Sequence, residues 1–289
     1  MSDDVFITEV QLRWTDLDAQ GHVNNVMVAD YLQQARAEFM LSGEACEMID
    51  DGVVVVEHKI AYHGSIYYSD DPLTAQLWVA ELGAARVVIA YRLLQAGRLC
   101  VEARSTLCAY DFERMVPRRM TRRERGFFAS WLDEATQALP EVASPELNGR
   151  GWVTPIRLRW SDPDRYQHVN NVRYLDYVLA GRVDMTTHAD WSMARVAMGN
   201  EQAVRWLIAR QDIDYLVQTT FRLEPYHVLT APVRLGTTSM VLATEIVDPE
   251  TGIVHAKART VTVCSDGDGR KRPLPEAGRA ALEKLLITE

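Results

Sequence analysis

The segment RWTDLDAQGHVNNVMVADY, residues 13–31, returns as RWSDPDRYQHVNNVRYLDY at residues 159–177. Eleven of the nineteen aligned positions are identical, where chance gives about one at the roughly 5–7% usage of a typical residue type. The shared pairs are Arg13/Arg159, Trp14/Trp160, Asp16/Asp162, Asp18/Asp164, His22/His168, Val23/Val169, Asn24/Asn170, Asn25/Asn171, Val26/Val172, Asp30/Asp176 and Tyr31/Tyr177. The chain is therefore a tandem duplication whose unit is half the protein. Most of these residues are polar, so shared packing alone does not account for them.

Outward from this segment, the alternation of Phe6–Trp14 predicts a strand, and the DxDxxGHVNN stretch is a loop. A helix is predicted from Asn25 to Leu41, with Val28, Ala29, Leu32, Ala35 and Phe39 as its buried stripe and Gly43 as its C-terminal stop. Four strands follow: Val53–Ile66, Leu73–Leu82, Arg86–Gln95 and Arg98–Asp111. Ser69–Pro72, Gly83 and Ala96-Gly97 supply the turns between them. The second unit repeats the order with strand Val153–Trp160, helix Asn171–His188, and strands Val204–Thr219, Val228–Leu235, Thr238–Val247 and Ile253–Cys264. Past the helix the offset grows from 146 to 153, which places about seven extra residues near Ala189–Asn200. Helical tails are expected over Thr121–Leu139 and Pro275–Leu286, the first opened by a Thr121/Glu124 capping box. Residues 140–151 form the linker. The domain plan is thus unit 1 over residues 1–118, a helix and linker over 119–151, and unit 2 with its C-terminal helix over 152–289.

One helix followed by four consecutive long strands implies an antiparallel sheet, and an apolar helix must cover that sheet's concave face. The expected class is α+β, a double hotdog in which each unit wraps an antiparallel sheet around a central helix. A lone curved sheet leaves an edge exposed, so the two units are expected to pair with each other, and a homodimer of the whole chain is compatible with that pairing.

Composition narrows the function. A net charge of −9 with 47% apolar and 25% charged residues describes a globular protein and disfavours nucleic acid as partner. The absence of an 18-residue apolar run excludes a membrane-spanning helix, and MSDDVFITEV is unlike an export signal. A cytoplasmic location is expected, with Cys46, Cys100, Cys108 and Cys264 as free thiols. No GxGxxG, P-loop, GxSxG or HExxH motif is present, and no ligand-spaced cysteine or histidine cluster points to a metal.

The pattern strand–DxDxxGHVNN–helix, followed by HKIAYHGSIYYSDDPL at residues 58–73, resembles the 4-hydroxybenzoyl-CoA thioesterase family of hotdog acyl-CoA thioesterases. The second copy is also similar to the matching stretch of plant acyl-ACP thioesterases, themselves double hotdogs. The resemblance implies thioester hydrolysis, with the motif's second acidic residue, Asp18 in unit 1 and Asp164 in unit 2, as the catalytic carboxylate. That role suits the chemistry. Hydrolysis needs a nucleophile or base, and donors for the developing oxyanion, which the N–H groups of a helix start supply. Asn24, Asn25, Asn170 and Asn171 mark those starts and also suit plain helix capping. Gly21 would let substrate approach the backbone, with Gln20 and Tyr166 as loop contacts. Asp16 and Asp162 are the structural pair.

In the plant enzymes the matching His and an intervening Asn are implicated in catalysis, which implies roles for His22 and His168. Gln20 and Tyr166 stand where that Asn would be, so the constellation is incomplete. The loops differ, AQG against RYQ, and unequal roles for the two units are expected. Hydratases on this fold space Asp and His by five with a Pro between, unlike the spacing of four here. CoA phosphates could meet Arg118, Arg119, Arg122, Arg123 and Arg125 after unit 1 and Arg270, Lys271 and Arg272 after unit 2; the same residues also suit exposed, solubilising turns. Arg13, Arg157 and Arg159 are sheet-face charges. Val55, Tyr62 and Tyr215 either line an acyl site between helix and sheet, or between the units, or fill the core. The expected activity is an acyl-CoA thioesterase of lipid metabolism using no metal or redox cofactor. The alternatives are an acyl-ACP thioesterase and a non-catalytic acyl-CoA sensor.

Overall fold

The computed structural model describes residues 5–18, 21–193, 205–266 and 269–288, in two compact units, Met1–Pro140 and Glu141–Glu289. In unit 1 the strands are β1 (Phe6–Val10), β2 (Val53–Tyr62), β3 (Leu73–Leu82), β4 (Arg86–Gln95), β5 (Arg98–Asp111) and the short β6 (Val116–Pro117). The sheet order is β1-β3-β4-β5-β2, every pair antiparallel, with β6 paired to β5. Helices α1 (Asn25–Leu41), α2 (Cys46–Asp51) and α3 (Arg122–Ala129) complete it. In unit 2, β7 (Trp152–Ile156), β8 (Arg205–Tyr215), β9 (Tyr226–Leu235), β10 (Ser239–Val247) and β11 (Val254–Ser265) are ordered β7-β9-β10-β11-β8, again antiparallel. Its helices are α4 (Asn171–Ala189) and α5 (Glu276–Glu283).

The long helix is the core of each unit. All five residues of the expected α1 stripe, Val28, Ala29, Leu32, Ala35 and Phe39, are buried. Phe39 alone meets the rings of Phe6, Phe127, Phe128 and Trp131, and burying one such side chain contributes about 2–3 kcal/mol. In unit 2, α4 approaches β9 so closely that a Cβ on Gly181 would lie 2.7 Å from Thr230 and Val228 atoms.

Several elements end earlier than alternation predicts, and each has a cause. β2 stops at Tyr62 because the N–H groups of His63 and Gly64 both turn onto the Cys100 carbonyl; Leu216 and Val217 do the same at the His255 carbonyl after β8. The tail helix stops at Ala129 rather than Leu139. β1 pairs with β3 only as far as Leu77, which leaves the edge of Val79 open: its N–H and C=O take Trp131 O and Asp133 N at 2.9 Å, while Trp78 Nε1 donates to Thr136 Oγ1 at 2.6 Å. Residues 131–136 therefore strap β3 through a bridge at Leu132 and a turn closed by Thr136 N on Asp133 O. Gly43 does not end α1 through a left-handed turn. The helix closes at Ser42, and the glycine makes room for Phe127, whose ring carbons would lie 2.5 Å from a Cβ there. The Thr121/Glu124 capping box forms, with Glu124 fully buried beneath it. Among the described residues no helix is long and apolar enough to cross a membrane. The four cysteines are free, three of them buried.

Candidate active site

The repeated motif folds the same way in both copies. A single tight turn at Trp14–Asp16 ends the approach from β1, and Asp16, only 4% exposed, holds it: its Oδ2 accepts from Arg13 N at 2.9 Å and Tyr31 Oη at 2.6 Å. Asp162, also 4% exposed, accepts from Arg159 N and Tyr177 Oη, each at 2.7 Å. Burial, then the neighbouring carboxylate, pushes both phenols far above the ordinary tyrosine range. The first acidic pair is thus an anchor between loop and helix. Tyr31 and Tyr177 are its partners, visible in the repeat as identities.

The motif's second acidic residue then opens a minute hairpin that closes on the histidine. Asp18 N donates to His22 O at 2.7 Å and Gly21 N to Asp18 O at 3.0 Å; Asp164 N donates to His168 O at 2.8 Å and Gln167 N to Asp164 O at 3.0 Å. A three-residue loop of this kind ends on a left-handed residue, and Gly21 (φ +78°) and Gln167 (φ +63°) hold that place. Spacing Asp and His by four therefore sets them across the hairpin from each other. A Cβ on Gly21 would meet nothing within 4 Å, so the turn, not close approach, explains this glycine. Gln20 lies outside the described residues. Bridges Leu17↔Val23 and Pro163↔Val169 close the hairpins, and His22↔Tyr67 and His168↔Thr220 tie them to the stretches after β2 and β8. Val23 N donates to Ile66 O and Val169 N to Thr219 O, both at 2.9 Å.

Just beyond the hairpin the long helix begins. Asn24 and Asn170 are its N-caps, their Oδ1 atoms accepting from Val26 N at 3.2 Å and Val172 N at 3.0 Å. Tyr62 and Tyr215 donate through Oη to the carbonyls of Asn25 (3.3 Å) and Asn171 (2.8 Å), pinning each helix start to the sheet. Burial raises both Tyr62 and Tyr174, the latter to about 12 and hydrogen-bonded to Thr219. These tyrosines are clamps of the helix end rather than plain core.

Asp18 and Asp164 are both half-buried, as are His22 and His168. Burial raises the Asp164 carboxyl against the opposing pull of the Tyr166 N–H (2.8 Å from Oδ1) and of His168. Burial likewise lowers His168, although Asp164 acts against it. His22 meets the Tyr67 ring edge-on at 4.9 Å. The Tyr166 ring lies against the Arg165 guanidinium, 5.5 Å away.

The basic residues have separate fates. Arg118 forks onto buried Glu124 at 2.9 and 2.6 Å, which supports the capping box and accounts for the side chain without a phosphate. Arg123 pairs with Glu47 at 2.9 Å. Arg119, Arg122, Arg125, Arg270 and Lys271 are exposed, and Arg272 is half-buried. Val55 is a half-buried residue of β2. Among the described residues no group of three or more His, Cys, Asp or Glu side chains is arranged to hold a metal ion.

A sheet wrapped on one long helix, built twice, with an Asp–His hairpin before each helix start, defines a double hotdog. The chain belongs to the thioesterase-like superfamily, which it matches over residues 12–143 and 158–282. That membership makes it a thioester hydrolase. Solved structures share the fold along almost the whole chain. The 12:0-ACP thioesterase of Umbellularia californica is 16% identical, with 90% of this chain and 94% of that one covered and a TM-score of 0.72. An acyl-ACP thioesterase of Bacteroides thetaiotaomicron is 13% identical, with 89% and 97% covered and a TM-score of 0.65. A Lactobacillus plantarum protein described as an oleoyl thioesterase is 13% identical, with 95% and 98% covered and a TM-score of 0.74. No curated protein sequence matches the chain significantly.

Proposed function

We propose that the chain is an acyl-CoA thioesterase in which Asp18, Asp164 or both act as general base, without metal or redox cofactor. The observation that carries this reading is the duplicated hairpin, which in both copies sets a half-buried carboxylate and a histidine just before a helix N-terminus. Asn24 occupies the Val26 N–H through its side chain and the Met27 N–H (2.8 Å) through its carbonyl, and the first helical N–H, that of Asn25, which takes no partner among the described residues, is the donor assigned to the oxyanion. The carboxylate takes a proton from water, the water oxygen bonds to the thioester carbon, and the carbon–sulfur bond breaks as the carboxyl passes that proton to the leaving sulfur, releasing acid and thiol. His22 and His168 orient the water or the carboxylate across the hairpin. The exposed arginines after β5 and β11 meet the phosphates of CoA.

The test is free-thiol release from short, medium and long acyl-CoAs, run beside the same acyl groups on acyl carrier protein. Turnover of the CoA esters is expected. Turnover of the carrier-protein esters alone would move the reading to an acyl-ACP thioesterase, and binding without thiol release to a sensor.

A further inference from the structure

Unit 1 contains a buried cation that the proposed chemistry does not use. Arg36, on the helix twelve residues beyond the Asn24 cap, is 6% exposed, and its Nη1 donates to Tyr91 Oη at 3.3 Å. Among the described residues that hydroxyl is its only hydrogen-bond partner, and no carboxylate pairs with it. A guanidinium carries five donors, and a buried charge without a counter-ion is strongly unfavourable. Beside it lie His58 and Ser105, both fully buried, with His58 Nδ1 and Ser105 Oγ 2.8 Å apart. Burial, and secondarily the charge of Arg36, keeps His58 well below the ordinary imidazole range, so the histidine does not add a second charge.

The sheet connects this cluster to the helix start. His58, Ile60 and Tyr62 alternate along β2 and so share a face, the face on which Tyr62 reaches the Asn25 carbonyl. Their register partners on β5 are Ser105, Ala103 and Val101. Ile60, Ala103 and Val101 are fully buried and apolar. The lane therefore has a helix N-terminus at one end, a hydrocarbon floor in the middle and a polar, cationic end. Four residue steps along the strand separate Tyr62 from His58, about 13 Å at roughly 3.3 Å each. An extended chain advances about 1.2 Å per bond, so roughly ten to eleven bonds span the lane.

The duplication supports a built feature. Arg182 stands on α4 at the same 146-residue offset, and Gln211 and Thr260 face each other in β8 and β11 where His58 and Ser105 do in β2 and β5. Gln211 and Thr260 are 3% and 2% exposed, and their Oε1 and Oγ1 atoms meet no hydrogen-bond partner among the described residues. Both units thus keep polar groups under the helix where an apolar floor would be more stable.

We infer that Arg36, with Tyr91, Ser105 and His58, is a specificity site for acyl thioesters whose medium-length chain ends in a carboxylate. This rests on the thioesterase reading, with the thioester at the start of α1 and the chain lying between helix and sheet. The arginine supplies the counter-charge and Tyr91 and Ser105 supply hydroxyl donors.

The experiment compares decanoyl-CoA with the mono-CoA ester of the straight dicarboxylic acid of about the same length, using the unmodified protein, Arg36→Met and Arg36→Lys. The ratio of kcat/KM for the diacid ester to that for decanoyl-CoA is expected to fall roughly 10- to 100-fold in Arg36→Met, the scale of lost charge-assisted hydrogen bonds, and less in Arg36→Lys. Because an unpaired buried charge is removed, the unfolding temperature of Arg36→Met should not drop; a purely structural arginine would lower it. Calorimetric binding of the free diacid and of decanoate supplies a readout independent of turnover, and comparing the two acids on the unmodified protein and Arg36→Lys decides the matter even if Arg36→Met fails to fold. Tighter diacid binding without thiol release from either ester would remove the hydrolase reading and leave this site standing. Hydrolysis of both esters with a ratio unchanged by substitution, or equal binding of the two acids, would overturn the site and leave the hydrolase.

Discussion

The first acidic residue of each motif anchors the loop and the second is the proposed base, and paired substitutions separate the two. Asp16→Asn with Asp162→Asn strikes the anchors. Each carboxylate accepts two donors, at 2.9 and 2.6 Å in unit 1 and at 2.7 and 2.7 Å in unit 2. An amide keeps one acceptor and turns a donor toward the other partner, so at least one charge-assisted bond is lost per unit, about 2 kcal/mol. At about 2–4 °C per kcal/mol for a unit of this size, the unfolding temperature should fall by roughly 4–8 °C. Asp18→Asn with Asp164→Asn strikes the proposed bases. Asn at 164 still accepts from Tyr166 N through Oδ1, and burial already disfavours the ionised carboxyl there. A group whose folded pKa is raised favours the fold only below that pKa, so its neutral replacement should leave stability at pH 7 unchanged or slightly higher. Activity, by contrast, should fall about 100- to 10,000-fold. Differential scanning calorimetry and thiol release read the two effects on the same samples. The assignment fails if the Asp18/Asp164 variant keeps more than about a tenth of the rate, or melts as early as the Asp16/Asp162 variant.

Three further outcomes follow from the geometry. If ionised Asp164 and neutral His168 are the working forms, both are lost on acidification; burial moves the first up from 3.8 and the second down from 6.5. The unit 2 rate, measured in an Asp18→Asn background, should therefore decline on acidification, and a rate that holds or rises as the pH falls through the acid range would contradict this. Gln167→Gly relieves a left-handed non-glycine residue (φ +63°) and should stabilise unit 2, whereas Gly21→Ala should destabilise unit 1, each by about 1 kcal/mol in denaturant titrations. Glu124 is held below the ordinary carboxylate range against its own burial by Arg118 and the Thr121 N–H, so its contribution is present at neutral pH and is lost as pH falls through its folded pKa. Glu124→Gln should lower stability at pH 7 and flatten its acid dependence in pH-resolved melts.

The sequence by itself determined the duplication, the bounds of α1, its five-residue buried stripe, and the succession of long strands along each unit, because these rest on local periodicity and on comparing the chain with itself. It also marked Asp16 and Asp162 as the structural pair, and both are buried anchors. What it left out depended on distant partners. Tyr31 and Tyr177 appear among the identities, yet only the folded helix shows them reaching back fifteen residues to a buried carboxylate. Arg36 and Arg182 share the same offset and read as ordinary helix residues until β2, β4 and β5 put His58, Tyr91 and Ser105 beneath the first of them. The early ends of β2, β8 and the tail helix likewise turn on hydrogen bonds to Cys100, His255 and Val79. Local pattern records which face of a segment is apolar. Which polar group that face must satisfy is settled only when another strand or helix arrives.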